Sequence, residues 1–307
     1  MKKFIIECIF GILFIALSGL LLYHSYPNSG LAKKVSDIES KIDILNLGTS
    51  HGNDFDYSNV NLVGLNMNRE GNTLFYDLQN YLFLRKKNFL TKKAIVIIPI
   101  SYFVFGLDEN RTDRKHDNSF VNQFYYYLPK EQIFSFSKQK KNSLIIERIQ
   151  SNTKKIFYNK KEKTGTNLTL IEETVKRVQH HKKLSNYSSK EKNFNYLDTL
   201  ISEILKDGNT PILVTTPYHY SYNDQFGKKW LNLNYYNFVK KFSIKYNLTY
   251  LDYSYDKRIS LDETYFKDSD HLNNKGRNIF NTIFFKDIET LIKKTRKNTQ
   301  KNQAKQH

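Results

Sequence analysis

Short apolar runs alternate with stretches of helical length along most of this chain of 307 residues. That alternation is the pattern of a mostly parallel sheet flanked by helices. Residues 42–47, 60–65, 94–100, 211–216 and 248–253 read as five strands, each brief, rich in Ile, Val, Leu, Thr or Tyr, and followed by Gly, Asn, Ser or Pro. Helical spacing of apolar positions predicts helices over 72–86, 195–206, 230–246 and 274–294. From 103 to about 192 the alternation lapses into Lys-, Asn-, Ser- and Tyr-rich sequence with helix-like stretches at 131–136, 143–158 and 168–181. An interruption of that size after the third strand reads as a helical insertion, either a cap over a site or a docking arm.

The first apolar stretch is of another kind. Residues 4–23 contain one charged side chain, Glu7, and follow Lys2 and Lys3; about 20 such residues span a bilayer core as a helix. The positive-inside rule then keeps the short N-terminus cytoplasmic and sends the remainder outside. No convincing small-x-small cleavage pattern follows, so a retained single-pass anchor in the cell membrane is expected over a removed signal peptide. The expected organisation is an anchor at 1–24, a linker at 25–37, a catalytic domain at 38–295 carrying the 103–192 insertion, and a basic, disordered tail at 296–307.

Composition narrows the setting. Cys8 is the single cysteine, which excludes an intramolecular disulfide and leaves the exported part to its apolar core. A net charge of +18 suits polyanions. Outside a membrane those are phospholipid head groups and anionic wall polymers, so no nucleic acid is expected as partner, and a merely solvated Lys-rich surface gives the same balance.

Two short motifs carry the chemistry. Leu47-Gly48-Thr49-Ser50-His51-Gly52 closes the first strand, with Gly48 permitting a sharp turn and Ser50 standing where strand becomes loop. A serine hydroxyl becomes a nucleophile when a base takes its proton and donors hold the oxyanion formed on the substrate. Asp268-Ser269-Asp270-His271 offers that base: a three-residue offset lets Asp268 fold back on His271 and fix its tautomer, whereas Asp270, adjacent in sequence, is expected to point elsewhere.

The pair resembles the first and last sequence blocks of the SGNH (GDSL-like) hydrolase superfamily, and Asp268 through Gly276, in the form Asp-x-x-His-Leu-Asn-x-x-Gly, is similar to membrane-anchored members acting on cell-envelope polymers. Those include the DltD protein of teichoic acid D-alanylation and SGNH-type polysaccharide O-acetyltransferases. The resemblance implies a flavodoxin-like three-layer α/β sandwich with Ser50 as nucleophile, His271 as base and Asp268 as orienter. It implies an oxyanion block within 61–66, with Gly64 or Asn66 near the hole, and a further block after the third strand, where Ser101-Tyr102 replaces Gly-x-Asn. The backbone amide of Ser50 or His51 is a further expected donor. Thr49 stands where the superfamily usually has Asp.

The implied activity is an extracytoplasmic O-acyltransferase or esterase acting on an envelope polysaccharide or teichoic-type polymer, with a polytopic membrane acyltransferase (MBOAT-like) partner and no cofactor. His51 is expected to line the pocket, help hold the oxyanion or brace the loop. Tyr218 and His219, after the fourth strand, are expected to offer rings to sugar faces. A catalytically inactive, anchored assembly factor of the same fold is the competing class. A metal set of His51, Asp268, Asp270 and His271 lacks a persuasive first shell, so no metal is assigned, and adjacent His180 and His181 diverge too far on a helix to share one.

Overall fold

The computed structural model describes residues 2–24, 34, 35, 37–58, 60–107, 170–185 and 189–304. The described residues fall into two units, one of residues 2–24, 34, 35 and 37–39, and one of those from 40 to 304. In the first, helix α1 (Lys2–His24) is apolar from Phe4 to Tyr23 apart from Glu7. Its stretch Lys3–Leu21 has a mean hydropathy of 2.5 and buries nothing within the protein, a length and composition that suit a membrane anchor and a signal sequence alike. The expected helices at 131–136 and 143–158 lie outside the described residues.

The second unit is built on a five-stranded parallel sheet of β1 (Ile42–Asn46), β2 (Gly64–Asn66), β3 (Leu90–Pro99), β4 (Thr210–Thr215) and β5 (Tyr250–Asp252), in the order β2-β1-β3-β4-β5. This is the doubly wound order in which the chain reverses its direction of travel between β1 and β3. In open α/β sheets the loops leaving the C-terminal ends of two such strands diverge, and ligands bind between them. The motif around Ser50 leaves β1 and Ser101 leaves β3, so both stand at that switch point.

Both sheet faces are covered, which is why the strands read as continuous apolar runs. On one face Ile44, Ile95, Ile97, Ile212 and Val214 pack with Phe280, Phe284 and Ile288 of the last helix, α9 (Asn274–Ala304). Alternate residues point the other way, where α4 (Lys190–Lys206) packs on β4 and on α2 (Leu74–Lys86). The fold is thus an α/β three-layer arrangement. α3 (Leu170–Leu184) packs beside α5 (Tyr220–Phe226).

Four elements differ from expectation. The second strand is confined to Gly64–Asn66, an edge strand in register with Ile44, Leu45 and Asn46. The helix expected over 230–246 starts at Lys228 as α6 (Lys228–Leu231), passes through a π turn (Asn232–Tyr236) and continues as α7 (Asn237–Tyr246). The extra residue of that π turn aims Tyr235 into the core, where its hydroxyl donates to the Ile100 carbonyl at 3.1 Å. After α8 (Lys257–Ser260), a hairpin of β6 (Phe266–Asp268) and β7 (His271–Leu272) carries the second motif. Finally, α9 continues to Ala304, so residues 296–304, expected as a disordered tail, have helical backbone; Lys293 to Ala304 holds no Gly or Pro to stop propagation.

Candidate functional site

The turn that presents Ser50 is held from several sides. Gly48 adopts φ +94°, and a Cβ there would come within 3.0 Å of the Pro99 ring, so the position needs glycine on both counts. The Gly48 amide donates to buried Asp77 Oδ1 at 2.8 Å, and Asn72 Nδ2 donates to the same oxygen at 2.6 Å. Ser50 then opens a 3-10 helix, Ser50–Asp54. The first amides of such a turn have no partner within it, and Ser50 and His51 occupy those positions.

The second motif preorganises itself. Asp268 Oδ1 accepts the backbone N–H of Asp270 at 3.2 Å and of His271 at 2.9 Å, and lies 2.9 Å from His271 Nδ1. Asn273 Oδ1 accepts the Gly276 amide at 3.0 Å and so caps α9. Gly276 has no room for a Cβ, which would meet the Tyr265 carbonyl at 2.2 Å.

The two motifs meet across 221 residues: Ser50 Oγ lies 2.8 Å from His271 Nε2. The order Ser50, His271, Asp268 is therefore a continuous hydrogen-bonded chain. The reading of Asp270 as turned away is corrected by the geometry. Its Oδ1 lies 3.4 Å from His271 Nδ1, and the side chain is 1% exposed. The hairpin turn brings both carboxylates to the same ring nitrogen. Arg177, on α3, then bridges them, with Nη2 3.2 Å from Asp268 Oδ2 and Nη1 2.9 Å from Asp270 Oδ1.

Charge follows this arrangement. Burial alone would lower the His271 pKa, but the hydrogen bonds and charges of Asp268 and Asp270 outweigh it and push it up to about 10. Burial alone would raise Asp268, yet the His271 hydrogen bond, the His271 charge and Arg177 hold it well below the usual carboxylate range. Asp270 is raised by burial, which His271 and Arg177 only partly offset. Burial, then the charge of His271, depresses His51 well below an ordinary imidazole. His51 is thus neutral beside its charged neighbour.

His51 stacks on His271, with ring centroids 4.8 Å apart and planes 12° apart, and meets Tyr218 edge-on at 5.3 Å. That arrangement also weighs against a metal. His51, Asp270 and His271 have donor atoms within 4.8 Å of one another, but parallel imidazoles aim their lone pairs along parallel planes and not at one point. Both His271 nitrogens are already engaged, and a guanidinium sits on Asp270. The donor set does not fit a cation.

The remaining expected residues divide. Asn66 is engaged within the protein: its Nδ2 donates to the Gly52 carbonyl at 2.9 Å and its Oδ1 accepts from Asn46 Nδ2 at 2.9 Å, bracing the turn after Ser50. Gly64 lies beneath Tyr57, whose ring a Cβ would strike at 2.2 Å, so it is a packing glycine on the edge strand, paired with Ile44 before the turn that carries Ser50. Ser101 is buried at the switch point, and its hydroxyl has no hydrogen-bond partner among the described residues. Tyr218 and His219 are buried, not displayed to solvent. Tyr218 forms the floor under His51, and His219 Nδ1 lies 2.7 Å from Ser221 Oγ at the start of α5. In the five-residue stretch 218–222, Tyr220 is the ring left exposed.

Sequence reasoning missed Arg177, and weighed His181 only as a metal ligand beside His180. One helical turn apart on α3, Arg177 and His181 lie in a segment read as an insertion. His181 stacks on Phe103 at 4.0 Å and its Nδ1 lies 2.7 Å from the Tyr222 hydroxyl. The available signal was their i, i+4 spacing on the same face as Thr174 and Val178, which are buried with His181.

No family model matches the chain, and no curated protein matches it. Among solved structures, it is similar to a GDSL-like lipase from Bacteroides thetaiotaomicron, at 11% identity and a TM-score of 0.42 over 88% of this chain and 98% of that one. It is also similar to a catalytic mutant of an acetylxylan esterase from Geobacillus stearothermophilus, at 14% identity and a TM-score of 0.39 over 82% of this chain and 95% of the other.

Proposed function

We propose that this protein is a serine-dependent acyl-transfer enzyme whose nucleophile is Ser50. The observation that carries the reading is the unbroken chain from Ser50 Oγ to His271 Nε2 at 2.8 Å and from His271 Nδ1 to Asp268 Oδ1 at 2.9 Å. His271 takes the Ser50 proton as Oγ attacks an ester carbonyl, Asp268 stabilises the imidazolium, and the same proton passes to the leaving alcohol. The Ser50 and His51 amides, at the open end of their 3-10 turn, serve as donors for the oxyanion. An incoming hydroxyl, from water or a sugar, is then deprotonated by His271 and resolves the acyl-enzyme. Within this reading α1 anchors the enzyme, the domain works outside the cell membrane, and the acceptor is an envelope polysaccharide or teichoic-type polymer supplied with acyl groups by a polytopic membrane partner. The apolar α1 and the +18 charge favour that setting.

The test is covalent labelling of the full-length chain by a fluorophosphonate, with peptide mapping. Label on Ser50, lost in Ser50→Ala and at least about a hundredfold slower in His271→Gln, is the expected result. A folded chain that takes no label overturns the reading in favour of a binding role. Mass analysis of envelope glycans from cells lacking the protein then separates transferase from esterase, by a missing or an excess acyl mass.

A further inference from the structure

The Ser50–His271 pair carries an attachment that the hydrolytic chemistry does not by itself require. His271 Nδ1 faces two carboxylates, Asp268 at 2.9 Å and Asp270 at 3.4 Å, and Asp270 is almost wholly buried. Two anions this close repel, and burying the second disfavours its charge further. The guanidinium of Arg177 resolves this, because its planar fork reaches Asp268 Oδ2 and Asp270 Oδ1 with separate nitrogens. It arrives from α3, an element that supplies neither nucleophile nor base.

We propose that Arg177 is a positioning residue for this site: by bridging Asp268 and Asp270 it fixes both beside His271 and cancels one of their charges, setting the pH at which the imidazole can accept the Ser50 proton. The hairpin contributes Asp268 and Asp270, the turn after β1 contributes His51 and Asp54, and α3 contributes Arg177 and His181. Around these groups α3 also sets Glu173 near Arg177, and Tyr218 and Tyr222, whose pKa values burial raises well above the usual phenol range, lie within the field of Asp270. His51 and His181 are held neutral, chiefly by burial, and buried Asp54 is shifted towards its protonated form. The balance at His271 is therefore two carboxylates against one guanidinium. With Arg177 gone the imidazolium is over-stabilised; with Asp270 also gone, one carboxylate is left opposite one imidazolium and the original sum is restored.

The proposal rests on the Ser50–His271 reading only for its kinetic arm. The first arm titrates His271 itself, by NMR of ring-labelled histidine in the full-length chain, with the signal assigned through His271→Gln. Asp270→Asn is expected to lower the His271 midpoint by about one unit, the size of effect a charge at this range exerts. Arg177→Gln is expected to keep the ring protonated to higher pH than in the parent. Arg177→Gln/Asp270→Asn is expected to return to within about half a unit of the parent. The double variant also guards against misfolding, since it leaves no buried charge unpaired.

A double variant that titrates with Asp270→Asn overturns the proposal, because the Arg177 charge would then be silent at His271. The second arm follows the pH dependence of fluorophosphonate labelling, whose acid limb should move in the same direction in each variant. If the parent takes no label, the acyl-transfer reading falls while the titration still decides the role of Arg177.

Discussion

Removing the charge of Asp268 while keeping its shape is the sharpest test of a site with two carboxylates on one imidazole. In Asp268→Asn the Oδ1 atom still accepts the amides of Asp270 and His271, at 3.2 and 2.9 Å in the parent, so the turn stays formed. What is lost is a charge-assisted bond to His271 Nδ1, exchanged for a neutral one, together with the ion pair from Arg177 Nη2 to Asp268 Oδ2, which leaves Arg177 on Asp270 alone. Charge-assisted bonds contribute about 1.5–3 kcal/mol and neutral ones about 0.5–1.5, so the difference is about 1–2 kcal/mol, or roughly 5–30-fold in rate. A triad with a single carboxylate loses about 10⁴-fold on the same change. Here the loss is expected near the smaller figure, because Asp270 Oδ1, 3.4 Å from Nδ1, keeps one anion beside the imidazolium. The assay is the second-order rate of fluorophosphonate labelling at fixed pH, with a thermal melt as the control for folding. Asp268→Asn should lose about 10–30-fold and Asp268→Asn/Asp270→Asn at least about 10³-fold. A loss near 10⁴ in the single variant, with the fold intact, would refute the shared role of Asp270. A larger loss in Asp270→Asn than in Asp268→Asn would reverse the assignment of orienter.

Further outcomes follow from the same geometry. Gly48→Ala places a Cβ at φ +94° and 3.0 Å from Pro99; a loss of about 1–3 kcal/mol in denaturant unfolding is expected, with slower labelling because Ser50 follows two residues on, and an unchanged midpoint would show that the turn is not constrained. His271, pushed up to about 10 by its two carboxylates against the opposing effect of burial, must be neutral to act as base, so labelling should still be rising above pH 8 by about tenfold per unit; a plateau reached near an ordinary imidazole value would refute that environment. Buried Asp54 has its pKa raised to about 8 by burial. Its folded value lies above its unfolded one, so its contribution is complete below the unfolded pKa and is lost as pH rises towards 8, at up to about 1.4 kcal/mol per unit. Asp54→Asn should flatten the fall in melting temperature across that window, and an identical fall in both chains would count against a buried, protonated Asp54.

How much was legible in the sequence follows from whether the determining contacts were local. Four of the five strands could be placed within a few residues, and α2, α4 and α9 could be located, because burial on two sheet faces writes itself as apolar runs and burial of one helix face as three- and four-residue spacing. The pairing of Ser50 with His271 was legible because each motif carries its own local constraint: Gly48 for the turn, the three-residue offset for Asp268. Where a constraint came from a distant segment, the sequence was silent or misleading. Gly64 reads as an oxyanion glycine but makes room for Tyr57; Tyr218 reads as an exposed ring but is covered once α5 turns the chain inward.

Asp270 and Arg177 are the clearest division between the two kinds of information. Local sequence determined that a histidine, a carboxylate three residues earlier and a serine after the first strand were all present, and the alternation of runs determined a parallel α/β sheet to hold them. Only tertiary structure decided that the hairpin turns Asp270 back onto the same nitrogen and that α3, from a segment without strand periodicity, brings a guanidinium to bridge both carboxylates. The reason is physical: a backbone pattern records which face of its own element a residue occupies, whereas the charge state of His271 is a sum over side chains from three separate elements, fixed only when those elements pack.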